Sequence, residues 1–195
     1  TFFKNLGITL TQGDVAKPNS IFECILDIIG IAIVPAICEE FAMRCCALGL
    51  LKNYGKAFGV VSVSVVFGLL HGNVIQFIFA FLVGLVLAYI TIKTESIIPA
   101  MCIHALNNGM SAVSDTVNYA AGKEVNITVG FFAFWLLVGI IATIYLAIKH
   151  KLTIPKDDGN CVLTLGEKVS SFFFPGMILP FIVLIIMTAQ TVKIG

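Results

Sequence analysis

Glu39 and Glu40 are adjacent carboxylates inside the apolar run Ile31-Ala-Ile-Val-Pro-Ala-Ile-Cys-Glu39-Glu40-Phe-Ala-Met-Arg44. Hydrocarbon makes a charge at that position costly, so an ionisable group kept there is a functional candidate by default. Glu40 and Arg44 are four residues apart, the spacing that stacks an acid over a base on one helix face and favours an ion pair. Glu39 lies about 100° around the helix from Glu40. That separation leaves Glu39 as the candidate general base and Glu40 as a structural partner of Arg44. Downstream, His104 and Asn108 are also four apart and project to one side, so both can donate to a single oxygen, as the donors of an oxyanion hole do. His71 ends the run Phe67-Gly-Leu-Leu-His71-Gly72. Each feature also has a plainer reading. The carboxylates would line a watery vestibule, His71 would be a satisfied interfacial residue, and Asn107 and Asn108 would be polar glue between helices.

The elements that position these residues are apolar. Hydrophobic residues make up 58% of the chain and charged residues 12%, and the mean hydropathy is +1.01, which describes an integral membrane protein rather than a soluble domain. The net charge of +1 gives no basic field for nucleic acid. Runs of spanning length, roughly 17 to 25 residues, are expected near Ile21–Leu51, Ala57–Gly72, Val74–Lys93, Ile97–Val113, Thr128–Ile148 and Phe172–Val192. The expected fold is therefore all-α and polytopic, with about six transmembrane helices around a polar intramembrane cavity. Residues 1–20 read as an interfacial segment or the remnant of an earlier helix, 21–195 as a single helical membrane domain, and 21–113 as its catalytic core. The chain opens on Thr1 with no signal peptide, so a trimmed N-terminal segment carrying further spans is expected.

Local signals refine this outline. Pro35 lacks an N–H, so it should loosen the first helix and free the Ile31 carbonyl, which protein or water must then satisfy. Glu23 and Asp27 place the first two turns of that helix at an interface or in a wet cavity. Ser64, Gly68 and Gly72 form a ridge of small residues that lets a neighbouring helix come close beside His71. Five of the six cysteines, Cys24, Cys38, Cys45, Cys46 and Cys102, fall in apolar spans and read as small buried hydrophobes; Cys161 lies in a polar loop. No spacing supports redox chemistry or structural zinc. Lysines of the joints concentrate on one side, at Lys52, Lys56, Lys93, Lys149, Lys151, Lys156 and Lys168, against Lys4, Lys17, Lys123 and Lys193 on the other. The positive-inside rule puts the first group in the cytoplasm. The Asn126-Ile-Thr128 sequon reads as chance.

The ordered set Glu39-Glu40-x-x-x-Arg44, Phe67-x-x-x-His71 and His104-x-x-x-Asn108, on successive apolar helices, resembles the CPBP family of intramembrane proteases, the CAAX-protease and bacteriocin-processing or Abi family. The resemblance covers roughly Ile21 to Val113. It implies a helical membrane core with a conical cavity in which Glu39 and His71 activate a water, His104 and Asn108 hold the scissile carbonyl oxygen, and Glu40 and Arg44 brace the site. The implied activity is that of a CAAX endopeptidase-like hydrolase, acting on a prenylated peptide, a leader peptide or a membrane protein in the bilayer. The implied location is a bacterial cytoplasmic membrane, with the site open to the cytoplasm. No cofactor is required by this chemistry, although Glu39, His71 and His104 also make a possible two-histidine, one-carboxylate zinc set. A non-catalytic scaffold or bacteriocin-immunity protein and a proton-coupled transporter are the alternatives; the absence of repeated halves weighs against the transporter.

Overall fold

The structure, a computed structural model, describes residues 8–10, 18–72, 74–122, 163–171, 173 and 175–194, with scattered positions between 130 and 153. Most of the expected span Thr128–Ile148 lies outside the described residues. The body is helical. A short antiparallel pair is added to it, β1 (Ile8–Leu10) against β2 (Val192–Ile194), with Thr9 opposite Lys193. Contacts gather into two compact units. The first comprises Thr1–Val15, Phe41–Ile97 and Asp157–Gly195; the second comprises Ala16–Glu40 and Ile98–Lys156.

The leading helix, Ile21–Tyr54, alternates α and π turns. It runs as α1 (Ile21–Asp27), π1 (Ile28–Ile33), α2 (Val34–Glu40), π2 (Phe41–Ala47) and α3 (Leu48–Leu51), and closes in a 3₁₀ turn over Lys52–Tyr54. Ser20 caps it by accepting from the Glu23 N–H at 3.2 Å, and the Glu23 carboxylate takes the Asn19 N–H at 2.6 Å. The π turns have a positional consequence. Buried residues recur at multiples of four positions, at Cys24, Ala32, Ala36, Glu40, Arg44 and Leu48, with Ile28 between the first two half-buried. In a pure α-helix a four-residue repeat drifts by about 40° per step, whereas wider π turns with i→i+5 bonds absorb that drift. π1 ends where Pro35 requires it: the Val34 N–H reaches back to the Ile29 carbonyl, an i→i+5 bond. The loosening expected from Pro35 is therefore present, just upstream of it.

Glu40 and Arg44 are buried while Phe22, Ile25, Ile29, Ile33, Ile37 and Phe41 are exposed. Charge inside and hydrocarbon outside is the arrangement a bilayer selects. The same inversion corrects the cysteine assignment. Only Cys24 is buried; Cys38, Cys45, Cys46 and Cys102 are exposed, because an apolar side chain in a bilayer gains nothing by turning inward. Among the described residues, Ile21–Tyr54 and Gln76–Thr94 are long and apolar enough to cross a membrane, by length and composition.

In the first unit, α4 (Lys56–Leu69) packs along α5 (Val74–Thr94). The small-residue ridge is what lets them meet. A Cβ on Gly68 would lie 2.9 Å from the Phe77 ring and 3.0 Å from its carbonyl oxygen, and one on Gly84 would lie 3.2 Å from Ser64 Cα. Gly84→Val is expected to cost about 1–3 kcal/mol through overpacking, which a thermal melt in detergent would register as a fall of several degrees. In the second unit, α6 (Ile98–Ala121) packs on α1, π1 and α2. Beyond these lie α7 (Leu165–Ser171) and α8 (Pro175–Thr191).

Thr164 and Glu167 close a reciprocal cap on α7: the Thr164 N–H donates to the carboxylate at 2.7 Å, and the Glu167 N–H returns to the hydroxyl at 3.3 Å. The Thr164 backbone N–H first, and its hydroxyl second, hold the Glu167 carboxyl below its ordinary range. A lowered carboxyl stabilises the cap above that range, and the contribution is lost as pH falls through the lowered value. Thr164→Ala should return the carboxyl toward its ordinary titration, as read by NMR.

Candidate active site

The second unit gathers four of the six expected site residues around one imidazole. His104, 2% exposed, sits one turn below Asn108 on α6. Its Nδ1 lies 2.8 Å from Oε1 of the fully buried Glu40, and its Nε2 lies 3.8 Å from Oε2 of Glu39. The two glutamates point about 100° apart, as adjacent helical residues must, yet both reach His104. An imidazole presents nitrogens at opposite edges, so divergent carboxylates can address both. Glu39 remains the accessible one, with its side chain 41% exposed against 0% for Glu40.

Asn108 completes the cluster and explains Pro35. Its Nδ2 lies 3.1 Å from His104 Nε2 and donates at 3.3 Å to the Ile31 carbonyl. That is the carbonyl for which Pro35 leads the sequence to expect a partner outside the helix, and this side chain supplies one. Asn107 donates to Asn108 Oδ1 at 3.3 Å. Three contacts thus fix which way the Asn108 amide faces, with both Nδ2 hydrogens directed at acceptors. Asn107, read from sequence as helix glue, makes its described contact with Asn108.

The other two expected residues belong to the first unit and form their own chain of contacts. His71 lies just past the end of α4, exposed, with Nδ1 2.9 Å from the Phe67 carbonyl. Donation from Nδ1–H to that carbonyl leaves Nε2 with its lone pair, available as an acceptor. The Phe67 ring meets His71 edge-on at 5.1 Å, and the Arg44 guanidinium sits over its other side, 4.6 Å from the centroid. Arg44 also donates to the Gly84 carbonyl at 3.4 Å. The F-x-x-x-H spacing therefore has a physical role: one aromatic residue supplies both the ring contact and the carbonyl that orient His71, and Arg44 fixes that aromatic through its cation–π contact.

Of the expected zinc set, Glu39 and His104 lie in the second unit and His71 in the first. With Nδ1–H given to Glu40, the one remaining lone pair of His104 is directed at Asn108. Among the described residues, no group of three or more His, Cys, Asp or Glu side chains is placed to hold a metal.

Helices that turn charge inward and hydrocarbon outward, carrying a buried Glu40–His104 pair with half-buried Asn108 beside it, describe a helical protein of membrane type. Comparison with known families adds a likeness over part of the chain. Residues 21–110 match the family of Rce1-like proteins, the type II CAAX prenyl endopeptidases, the family that the three motifs resemble. The match opens with α1 and ends two residues beyond Asn108, so every expected site residue falls inside it. No curated protein and no solved structure matches the chain.

Proposed function

We propose that the protein is an intramembrane endopeptidase that hydrolyses a peptide bond of a membrane-associated substrate, a prenylated C-terminal peptide or a leader peptide. It would act within a polytopic helical domain of about six crossings in a bacterial cytoplasmic membrane, with its cavity open to the cytoplasm. The observation that carries this reading is the grip on His104, with Glu40 at one ring edge and Glu39 and Asn108 at the other, inside the segment that matches a peptidase family.

In this mechanism the Glu39 carboxylate removes a proton from a water that His71 Nε2 helps to orient. The water oxygen forms the new bond to the scissile carbonyl carbon, and the carbonyl electrons move onto its oxygen. When the contact with Asn108 gives way, His104 takes up a proton from solvent at Nε2, is balanced by Glu40 at Nδ1, and donates to that oxygen. Asn108 donates to the same oxygen once its contact with His104 Nε2 gives way to substrate. Collapse breaks the C–N bond, and the proton held on Glu39 passes to the leaving amine. Arg44 acts through Phe67, keeping His71 in place.

Proteomic comparison of membranes expressing the wild type and Glu39→Ala tests the assignment. Substrates should accumulate uncleaved with Glu39→Ala, and identical peptide inventories would contradict it. The metal-free arrangement carries its own expectation. A strong chelator should leave turnover unchanged, and the purified protein should carry less than stoichiometric zinc; a stoichiometric metal together with inactivation by chelator would overturn this mechanism while leaving the peptidase assignment standing.

A further inference from the structure

The first unit contains a cavity of about 780 Å³, within the range of small-ligand sites. The side chains described around Glu39 and His104 take no part in it. Its lining comes from the end of the leading helix, the start of α4, the end of α5 and the turn after it, and includes Arg44, Lys52, Asn53, Lys56, Thr91 and Glu95. Three cations face one carboxylate, and hydroxyl and amide groups stand between them. Arg44 is buried among the lining residues with its guanidinium on the Phe67 ring and the Gly84 carbonyl, so its desolvated charge favours an anion in the recess. The turns that wall the cavity are held in backbone conformations few residues adopt. Gly55 has φ 124° and Glu95 has φ 52°, the only positive φ of a non-glycine residue among those described.

The surroundings indicate which oxyanion. Leu50, Val61 and Val86 are exposed apolar residues on the leading helix, α4 and α5, the three helices that supply the lining, so a cationic, polar recess is built on helices that also carry surfaces suited to acyl chains. Lys52, Lys56 and Lys93 place it at the helix ends where positive charge concentrates, the level of the headgroups. We infer that this cavity binds a phosphate oxyanion, that of an anionic phospholipid headgroup or of free phosphate, with Arg44 and Lys52 as its principal partners. The inference does not rest on the peptidase assignment, although the two share Arg44. It connects to the first unit's own histidine, because the Arg44 that would meet the phosphate also holds the Phe67 ring that orients His71.

The test is the melting temperature of the full chain, delipidated in neutral detergent, titrated with phosphatidylglycerol, with phosphatidylcholine and with inorganic phosphate. Phosphatidylglycerol should give a saturable upward shift and phosphatidylcholine none. A shift with phosphate alone identifies the free ion as occupant, and a shift with phosphatidylglycerol alone identifies the lipid. Two variants remove the site by different means. Lys52→Glu reverses an exposed cation and should weaken binding by about tenfold or more. Gly49→Leu fills the cavity from a lining position where an added Cβ meets nothing within 4 Å, and should abolish the shift. Melting of each variant without lipid confirms that it is folded. Equal shifts with both lipids, or a phosphatidylglycerol shift retained in both variants, would overturn the inference.

Discussion

Glu39→Gln is expected to lower peptide hydrolysis by about 100- to 10,000-fold, the range over which a positioned general base acts, and to leave the protein folded. The substitution keeps the size of the side chain and removes its ability to take a proton. Its structural cost is small because Glu39 is partly exposed and lies 3.8 Å from His104, outside hydrogen-bonding distance. A detergent melt beside a cleavage assay separates the two effects. Turnover within a few-fold of wild type would remove Glu39 as the base.

The second large effect is expected at Glu40, where activity and stability should fall together. Glu40 is fully buried, 2.8 Å from His104 Nδ1. Removing one member of a buried pair costs about 3–5 kcal/mol, because its partner keeps the burial and loses the compensation. Glu40→Leu should therefore lower the melting temperature by many degrees and depress turnover by about 100-fold, the loss that follows removal of an oxyanion donor. Glu40→Gln, which still offers an oxygen to Nδ1–H, should recover most of the stability. A merely structural Glu40 would leave the imidazole's protonation pattern unchanged in Glu40→Gln, whereas a positioning Glu40 shifts it. The ¹⁵N resonances of His104 report that difference directly.

The motifs could be read from the sequence because each is local. Four-residue spacing puts His104 and Asn108 on one side of a helix, and Pro35 marks the stretch of the first helix where its hydrogen bonding loosens. The partners could not be read, since Glu40 meets His104 across 64 positions and Asn108 meets Ile31 across 77. Nothing in either segment alone states that the second glutamate would take the imidazole's Nδ1. The role of Phe67 was hidden for a similar reason, because its ring contacts Arg44 from another helix. The cysteines were misplaced by a rule drawn from water, where apolar means inside. The four-residue burial stripe from Cys24 to Leu48 was present in the sequence as Cys, Ala, Ala, Glu, Arg and Leu. It was obscured by the assumption of a uniform 3.6-residue turn, which the two π segments break.

Hydrolysis by the purified full chain in liposomes, carried out in ¹⁸O-enriched water on a farnesylated C-terminal peptide and read by mass spectrometry, tests the central claim most directly. The account predicts cleavage at one internal peptide bond, one ¹⁸O in the new carboxylate from the first turnover onward, and no product with Glu39→Gln. An intact peptide with the wild type, or equal product from wild type and Glu39→Gln, would contradict it.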